Sequence, residues 1–307
     1  MYVAITGANG FIGSHLSKMI HDMGHNLIYI TRKINENHHG IQYTYDDFFE
    51  LRINVKIDCF IHLASPNYDY TRNKDDSLKN GITILTLKIL KTLNNYNCRK
   101  LIFFSSAKIY GEPSLDSKQT FYEDTQPDPI SDYGKEKLKA EKKIISYSKN
   151  SNIKYLIYRL PMVYGSNSNS NINKLLKFIE KSYPFILFRN TQHLKKSLIS
   201  IENIKIFIKF NLQNTNTINN RIYNVTDNKS VCLNDLIMDY KRIINSNTYI
   251  IFLPFSLLKV LIRVPVIKNY FLKLYGHLEI SNQYISNECK IMFKDTSSCF
   301  AEIKRNE

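Results

Sequence analysis

The chain has 307 residues, 43% of them hydrophobic, and a formal net charge of +15. That length is too great for a minimal domain and suits one large α/β unit or two fused lobes with a real core. The charge raises nucleic-acid binding, but it is scattered and no nucleic-acid module is recognisable; a basic chain also suits a polyanionic small substrate such as a nucleotide diphosphate.

The five cysteines (Cys59, Cys98, Cys232, Cys289 and Cys299) show neither CxxC pairing nor histidines at ligand spacing, so no metal or redox motif follows. The apolar run at the N-terminus breaks at Gly7 after a strand's length, and no stretch approaches a membrane span. Reduced thiols in a cytoplasm are the expectation.

In chain order, β-type runs at 2–6, 26–31, 59–64, 100–105 and 154–160 alternate with helical patterns at 12–23, roughly 75–96, and 133–149. This rhythm predicts βαβ units and an α/β fold with a doubly wound parallel sheet. On the last of these helices Lys135, Lys137, Lys139, Lys142 and Lys143 interleave with Glu136 and Glu141, the pattern of a solvated face. The pattern loosens after about residue 165. SNSNSNIN (166–173) reads as a polar loop or lid, and helices near 173–182, 202–212 and from 233 alternate with strands at 198–201 and 222–226. The expected division is a dinucleotide-binding domain over 1–165 and a smaller C-terminal α/β substrate lobe over 166–307. Segments near 198–212 and 222–226 are expected to return to the first domain. The stretch 252–276 is apolar but punctuated by Pro254, Lys259, Arg263 and Pro265. It fits an interfacial amphipathic helix, but helices packing the second lobe are the preferred reading.

Four segments carry chemistry. TGANGFIG follows the first strand and opens a helix. Gly7 permits the turn, Gly10 a close backbone approach to a pyrophosphate and Gly13 helix-on-sheet packing, while the helix N-terminus favours the phosphates. The second strand ends Thr31-Arg32-Lys33. An NAD site offers a carboxylate there for the ribose 2′-hydroxyl, whereas cations complement a 2′-phosphate, so NADP(H) is expected to be preferred, with NAD(H) as the other possibility. KLIFFSSAKIYG then sets Ser105 and Ser106 at a strand's C-terminal end, and SDYGKEK sets Tyr133 and Lys137 at i, i+4 on one helix face. A neighbouring ammonium favours the phenolate and so makes tyrosine a usable proton-transfer group near neutrality.

These residues resemble the extended short-chain dehydrogenase/reductase family, in its nucleotide-sugar epimerase/dehydratase branch. TGANGFIGSHL, DCFIHLAS, Asn80-Gly81, SSAKIYG, YGKEKLKAE, RLPMVYG, SLISIENI and YNVTDNKSVCLNDLI carry the likeness over nearly the whole chain. The resemblance implies a catalytic Ser106, Tyr133 and Lys137. It implies a cofactor site of Gly7, Gly10, Phe11, Ile12, Gly13, Arg32, Lys33, Leu63, Ala64, Asn80, Tyr133, Lys137 and Pro161. It also implies substrate contacts from Ser106, Lys108, Tyr133, Lys195 and Lys196, with either of the last two lysines standing for the family's phosphate-binding arginine. Family dehydratases carry an acidic pair where this chain has Ala107-Lys108, which argues against dehydration.

The first expectation is therefore an NADP(H)-preferring reductase of a UDP-linked 4-keto sugar. The alternative is a nucleotide-sugar 4-epimerase retaining NAD, and a third reading from another class is a non-catalytic dinucleotide sensor or scaffold. A nucleotide sugar as partner, no nucleic acid and a homodimer complete the expectations.

Overall fold

The computed structural model describes residues 1–35, 40–52, 54–65, 81–166, 168, 170–214 and 220–305. The chain forms two compact units, each assembled from separate segments. The first takes Met1–Gly111, Gln126–Arg159 and Lys205–Tyr223; the second takes Glu112–Thr125, Leu160–Ile204 and Asn224–Glu307.

The first unit is built on a seven-stranded sheet. Its order is Arg221–Asn224, Lys154–Leu160, Lys100–Ser106, Cys59–His62, Tyr2–Thr6, Asn26–Thr31, Ile41–Thr44. Pairing is parallel from Lys100–Ser106 through to Ile41–Thr44. Strand YVAIT is buried on both faces after Tyr2, as a central parallel strand must be. Strand order reverses beside it, where Thr6 pairs with His62, and in open α/β sheets that reversal opens a crevice at the strands' C-terminal ends. Helices Phe11–Asp22, Gly81–Asn95 and Asp132–Lys149 follow the strands. Ile89 and Leu93 from one helix and Ala140 and Ile144 from another join Ile28, Phe60, Leu101 and Phe103 of the sheet in one buried cluster. This is the doubly wound α/β fold expected from the strand–helix rhythm.

The edge strand Ile41–Thr44 escaped the sequence reading. It is four residues long and largely half-buried, so it shows little apolar contrast. Thr44 ends it by capping a short helix: its Oγ1 accepts from the Asp47 N–H at 3.2 Å, and its own N–H donates back to Asp47 Oδ2 at 3.0 Å.

The second unit holds three two-stranded parallel ribbons, including Leu198–Ser200 on Met162–Tyr164 and Ile250–Leu253 on Phe185–Phe188. Leu175 and Ile179 on one helix, and Leu236 and Ile237 on another, bury against Tyr164 and Phe300. The buried Asp227 is its polar centre. The carboxylate accepts from Tyr164 Oη (2.6 Å), the Ser200 N–H (2.9 Å), Asn203 Nδ2 (2.7 Å) and Thr296 Oγ1 (2.8 Å). Segment 252–276 forms helices Phe255–Leu261 and Pro265–Tyr275, with Leu258 and Leu274 buried in this unit's core.

Asp227→Ala strips four donors of their shared acceptor. The expected cost is on the order of 3 kcal/mol or more, read as a lowered urea midpoint; a loss below about 1 kcal/mol would show that the network is not the unit's polar anchor.

Candidate functional site

The glycine loop is shaped by what cannot fit. Gly7 has φ +74°, and a Cβ there would stand 2.9 Å from the Ala64 backbone nitrogen. At Gly13 a Cβ would lie 2.2 Å from the Gly7 carbonyl oxygen, so any side chain would force the helix off its strand. Gly10 is the N-cap of helix Phe11–Asp22 and makes no side-chain cap, and no acidic residue occupies the first turn. The first-turn N–H groups, at half-buried Phe11 and Ile12, are thereby left without a side-chain acceptor, with the positive end of the helix dipole behind them. This cradle fits a pyrophosphate. Asn35, beyond the second strand, donates from Nδ2 to Asn9 Oδ1 at 3.2 Å and so ties that strand's end to the loop. Arg32 and Lys33 are exposed there, while Thr31 is buried and donates to the Lys33 carbonyl at 2.8 Å.

A buried histidine braces the crevice behind the loop. The Ala64 N–H donates to Thr6 Oγ1 (3.3 Å), and Thr6 Oγ1 lies 2.9 Å from His62 Nδ1. On the far side His62 Nε2 lies 3.3 Å from Thr86 Oγ1, which donates to the Ile82 carbonyl at 2.7 Å. Thr86 Oγ1 gives its own proton to Ile82, so His62 Nε2 must carry a proton and donate to it. Burial, aided by the Lys137 charge, pushes its pKa down to about 3, so it stays neutral. Leu63 and Ala64 are half-buried beside it. Asn80, expected to support the cofactor pocket, lies outside the described residues.

The serine strand and the YGKEK helix meet within the first unit. Ser131 caps helix Asp132–Lys149, its Oγ accepting from the Gly134 N–H at 3.3 Å. Gly134 lets that helix approach closely: a Cβ would stand 2.6 Å from the Lys108 carbonyl oxygen, in the short helix after Ser106. Lys137 then reaches the end of the serine strand. It is 2% exposed, and its Nζ donates to the Phe104 carbonyl at 2.7 Å. The ammonium lies 5.8 Å from the Tyr133 ring centroid and 4.7 Å from that of Phe103. Burial brings the Lys137 pKa down to about 7, against the opposing pull of Glu141. Ser106 is half-buried, and its Oγ accepts the Lys108 N–H at 3.3 Å, leaving its hydroxyl proton to donate. Lys108 itself is half-buried.

One expectation about this helix holds only in part. Lys135, Lys139, Lys142 and Lys143 are exposed as a solvated face requires, but Glu136 and Glu141 are each 1% exposed and with Lys137 face inward, so that part of the pattern is not solvated. Glu136 accepts from Thr83 Oγ1 at 2.8 Å across the neighbouring helix. Glu141 accepts from Ser105 Oγ and pairs with buried Arg159 at 2.8 Å. Arg159 also donates to Tyr110 Oη at 2.7 Å, so Ser105 to Tyr110 form one buried network under the serine strand. Sequence reasoning missed Glu141, Arg159 and Gly134. A signal existed, since Glu141 stands four residues after Lys137 and thus on its helix face.

Pro161, Lys195 and Lys196 belong to the second unit. Lys196 is not placed to meet a substrate phosphate: it is 8% exposed, and its Nζ donates to the carbonyls of Lys273 and of Leu274 (3.1 Å), closing the end of helix Pro265–Tyr275. Burial lowers its pKa to about 7. Lys195 is exposed and lines a cavity of about 490 Å³ with Lys229, Ser230, Asn228 and Asn282. Pro161 is half-buried, just ahead of strand Met162–Tyr164. Among the described residues no cluster of His, Cys, Asp and Glu could hold a metal ion.

A family model described as the NAD dependent epimerase/dehydratase family matches residues 3–226. Over 258 residues the chain is 24% identical to a UDP-glucose 4-epimerase of Vibrio cholerae, covering 80% of this chain and 77% of that one. Against some further curated 4-epimerases the match spans about half their length. A UDP-N-acetylglucosamine 4-epimerase structure from Bacillus cereus superposes with a TM-score of 0.78 at 17% identity, covering 100% of this chain and 99% of that one. A Bacillus cereus UDP-glucuronic acid 4-epimerase in complex with NAD gives 0.74 at 21% identity, again covering 100% and 99%.

Glu141→Leu leaves the Arg159 guanidinium buried without its carboxylate. The expected loss is about 3–5 kcal/mol of unfolding free energy, measured by urea denaturation, and near wild-type stability would contradict the network.

Proposed function

The chain belongs to the NAD dependent epimerase/dehydratase family, and from that premise we propose that it is an enzyme inverting C4 of a UDP-linked sugar with a retained NAD. The observation that carries this reading is the buried Lys137 ammonium, fixed on the Phe104 carbonyl beside Tyr133 and the serine strand. The reaction class follows the relatives described above, which are named as UDP-sugar 4-epimerases. The NADP(H)-preferring reductase expected from Arg32 and Lys33 becomes the second reading, supported by those two exposed cations alone.

The residues present fit a dinucleotide: the uncapped helix start at Gly10, the close approach at Gly7 and the end of the second strand would hold its pyrophosphate and ribose. When bound, the nicotinamide supplies a hydride acceptor and donor. Tyr133 takes the proton from the sugar's C4 hydroxyl and returns it after the sugar has turned over. Ser106 donates a hydrogen bond to the same oxygen, and Lys137 stabilises the Tyr133 phenolate. Dehydration is disfavoured because Ala107 and Lys108 offer no carboxylic acid after Ser106. Lys195, exposed beside its cavity, is the remaining candidate among the two lysines for the substrate's phosphates. A homodimer through helices Gly81–Asn95 and Asp132–Lys149, where Ile84 is left exposed, belongs to the same reading; a monomer at micromolar concentration would remove that part.

Two measurements test the function. Denaturing the purified protein should release NAD at close to one per chain, and Arg32→Ala should leave that occupancy unchanged. Release of no nucleotide, with titrated NADPH bound in preference to NADH, would favour the reductase. Tyr133→Phe should lower C4 epimerisation of UDP-sugars by about 10²–10⁴-fold while NAD stays bound; undiminished turnover would exclude the proposed proton transfer.

A further inference from the structure

The second unit carries an apolar surface that the proposed reaction does not use. Leu257, Val260 and Val264 recur at i, i+3 and i+7, and all three are exposed. Leu258 is buried, and Leu261 and Ile262 pack against the unit's core, so the chain has spent one face of this segment on the interior and left the other apolar. The next helix continues the pattern with Val266, 89% exposed, and Tyr270 one turn on. On the ribbon that leads into these helices Ile251 pairs in register with Ile186, and both are exposed, with Tyr249 at 71% beside them. Isolated exposed hydrophobes need no explanation, but a run of this length does.

The charge around this run has one sign. Between Asp239 and Glu279 the chain has no acidic residue, while Lys259, Arg263, Lys268 and Lys273 punctuate the apolar stretch. None of the four pairs with a carboxylate among the described residues. At 100° per residue, Lys259 stands between buried Leu258 and exposed Val260 on helix Phe255–Leu261, and Arg263 follows, exposed, in the turn before the next helix. Lys259, Arg263 and Lys268 also line a cavity of about 680 Å³, whose single acidic residue is Asp116. Cations flanking an exposed apolar helix face, with tyrosines near its ends, match the interface of an anionic bilayer. A second copy meeting the same face would set these cations against their own counterparts. Among the described residues no helix is long and apolar enough to cross a membrane, so the contact would be peripheral.

We propose that the segment Ile250–Tyr275 docks the protein on an anionic lipid surface, with Leu257, Val260, Val264, Val266 and Tyr270 entering the interface and Lys259, Arg263 and Lys268 meeting the headgroup phosphates. The proposal does not depend on the reaction assigned above.

Flotation of the full chain with vesicles of phosphatidylcholine alone, or with about a third phosphatidylglycerol, tests it. Binding is expected to the anionic vesicles, at least tenfold weaker to the neutral ones, and weakened by salt. Val260→Asp/Val266→Asp, on exposed positions, should cut anionic binding at least tenfold while circular dichroism and NAD content stay unchanged. Lys259→Glu/Arg263→Glu should do the same. Absence of flotation with either vesicle overturns the proposal. Undiminished binding by Val260→Asp/Val266→Asp overturns it too, because the net charge of +15 alone would then explain adhesion. A self-association lost in that variant, without lipid binding, assigns the face to a second copy instead.

Discussion

Burying the Lys137 ammonium is the constraint around which the first unit is arranged. An amine taken out of water resists its charge, and here burial brings its pKa to about 7. Three features hold it in place. Gly134 lets the helix come close enough to the Ser106 turn, Ser131 fixes where the helix starts, and the Phe104 carbonyl receives the Nζ proton. One turn further along, Glu141 supplies a buried negative charge that favours the ammonium, and Arg159 and Ser105 supply the hydrogen bonds that keep Glu141 itself from being orphaned, with Tyr110 holding Arg159 in turn. A buried ion pair of this kind is weak evidence for stability, because desolvation offsets much of its attraction. Its use is positional: it fixes the charge next to Tyr133, where the proposed proton transfer needs it.

The same logic runs through the cofactor side. Gly7 and Gly13 exist as glycines because Ala64 and the Gly7 carbonyl occupy the space a Cβ would need. His62 holds Thr6 and, through it, the Ala64 N–H, while its other nitrogen lies against the helix that begins at Gly81. The crevice at the point of strand reversal is therefore braced by a neutral ring whose tautomer is set by its neighbours. Lys137 contributes to that neutrality, so the brace and helix Asp132–Lys149 are electrostatically linked.

Much of this was legible in the sequence, and the exceptions have physical causes. The five apolar runs and the glycine loop declared the sheet because central parallel strands are buried on both faces and cannot be disguised. Tyr133 and Lys137 could be paired from their spacing alone. Glu136 and Glu141 were misread because alternation of sign is what a solvated helix shows, and only packing reveals which of those charges turn inward. Lys196 looked like a phosphate ligand by its place beside SLISIENI, yet it serves the end of a helix about eighty residues away in sequence, a contact no local pattern encodes. Arg32 and Lys33 pointed to a 2′-phosphate, but exposed cations at a strand end are compatible with either dinucleotide. Segment 252–276 packs as helices of the second unit, with Leu258 and Leu274 in its core while Leu257, Val260 and Val266 stay exposed.

The most direct measurement is the pH dependence of kcat/KM for UDP-sugar epimerisation in the wild type and in Lys137→Met. If the buried ammonium lowers the Tyr133 pKa, its removal should move the limb that reports the phenolate upward by about 1–3 pH units, with activity partly recovered at high pH. A lowered rate with an unmoved limb would contradict the assigned role and leave Lys137 as a structural residue alone.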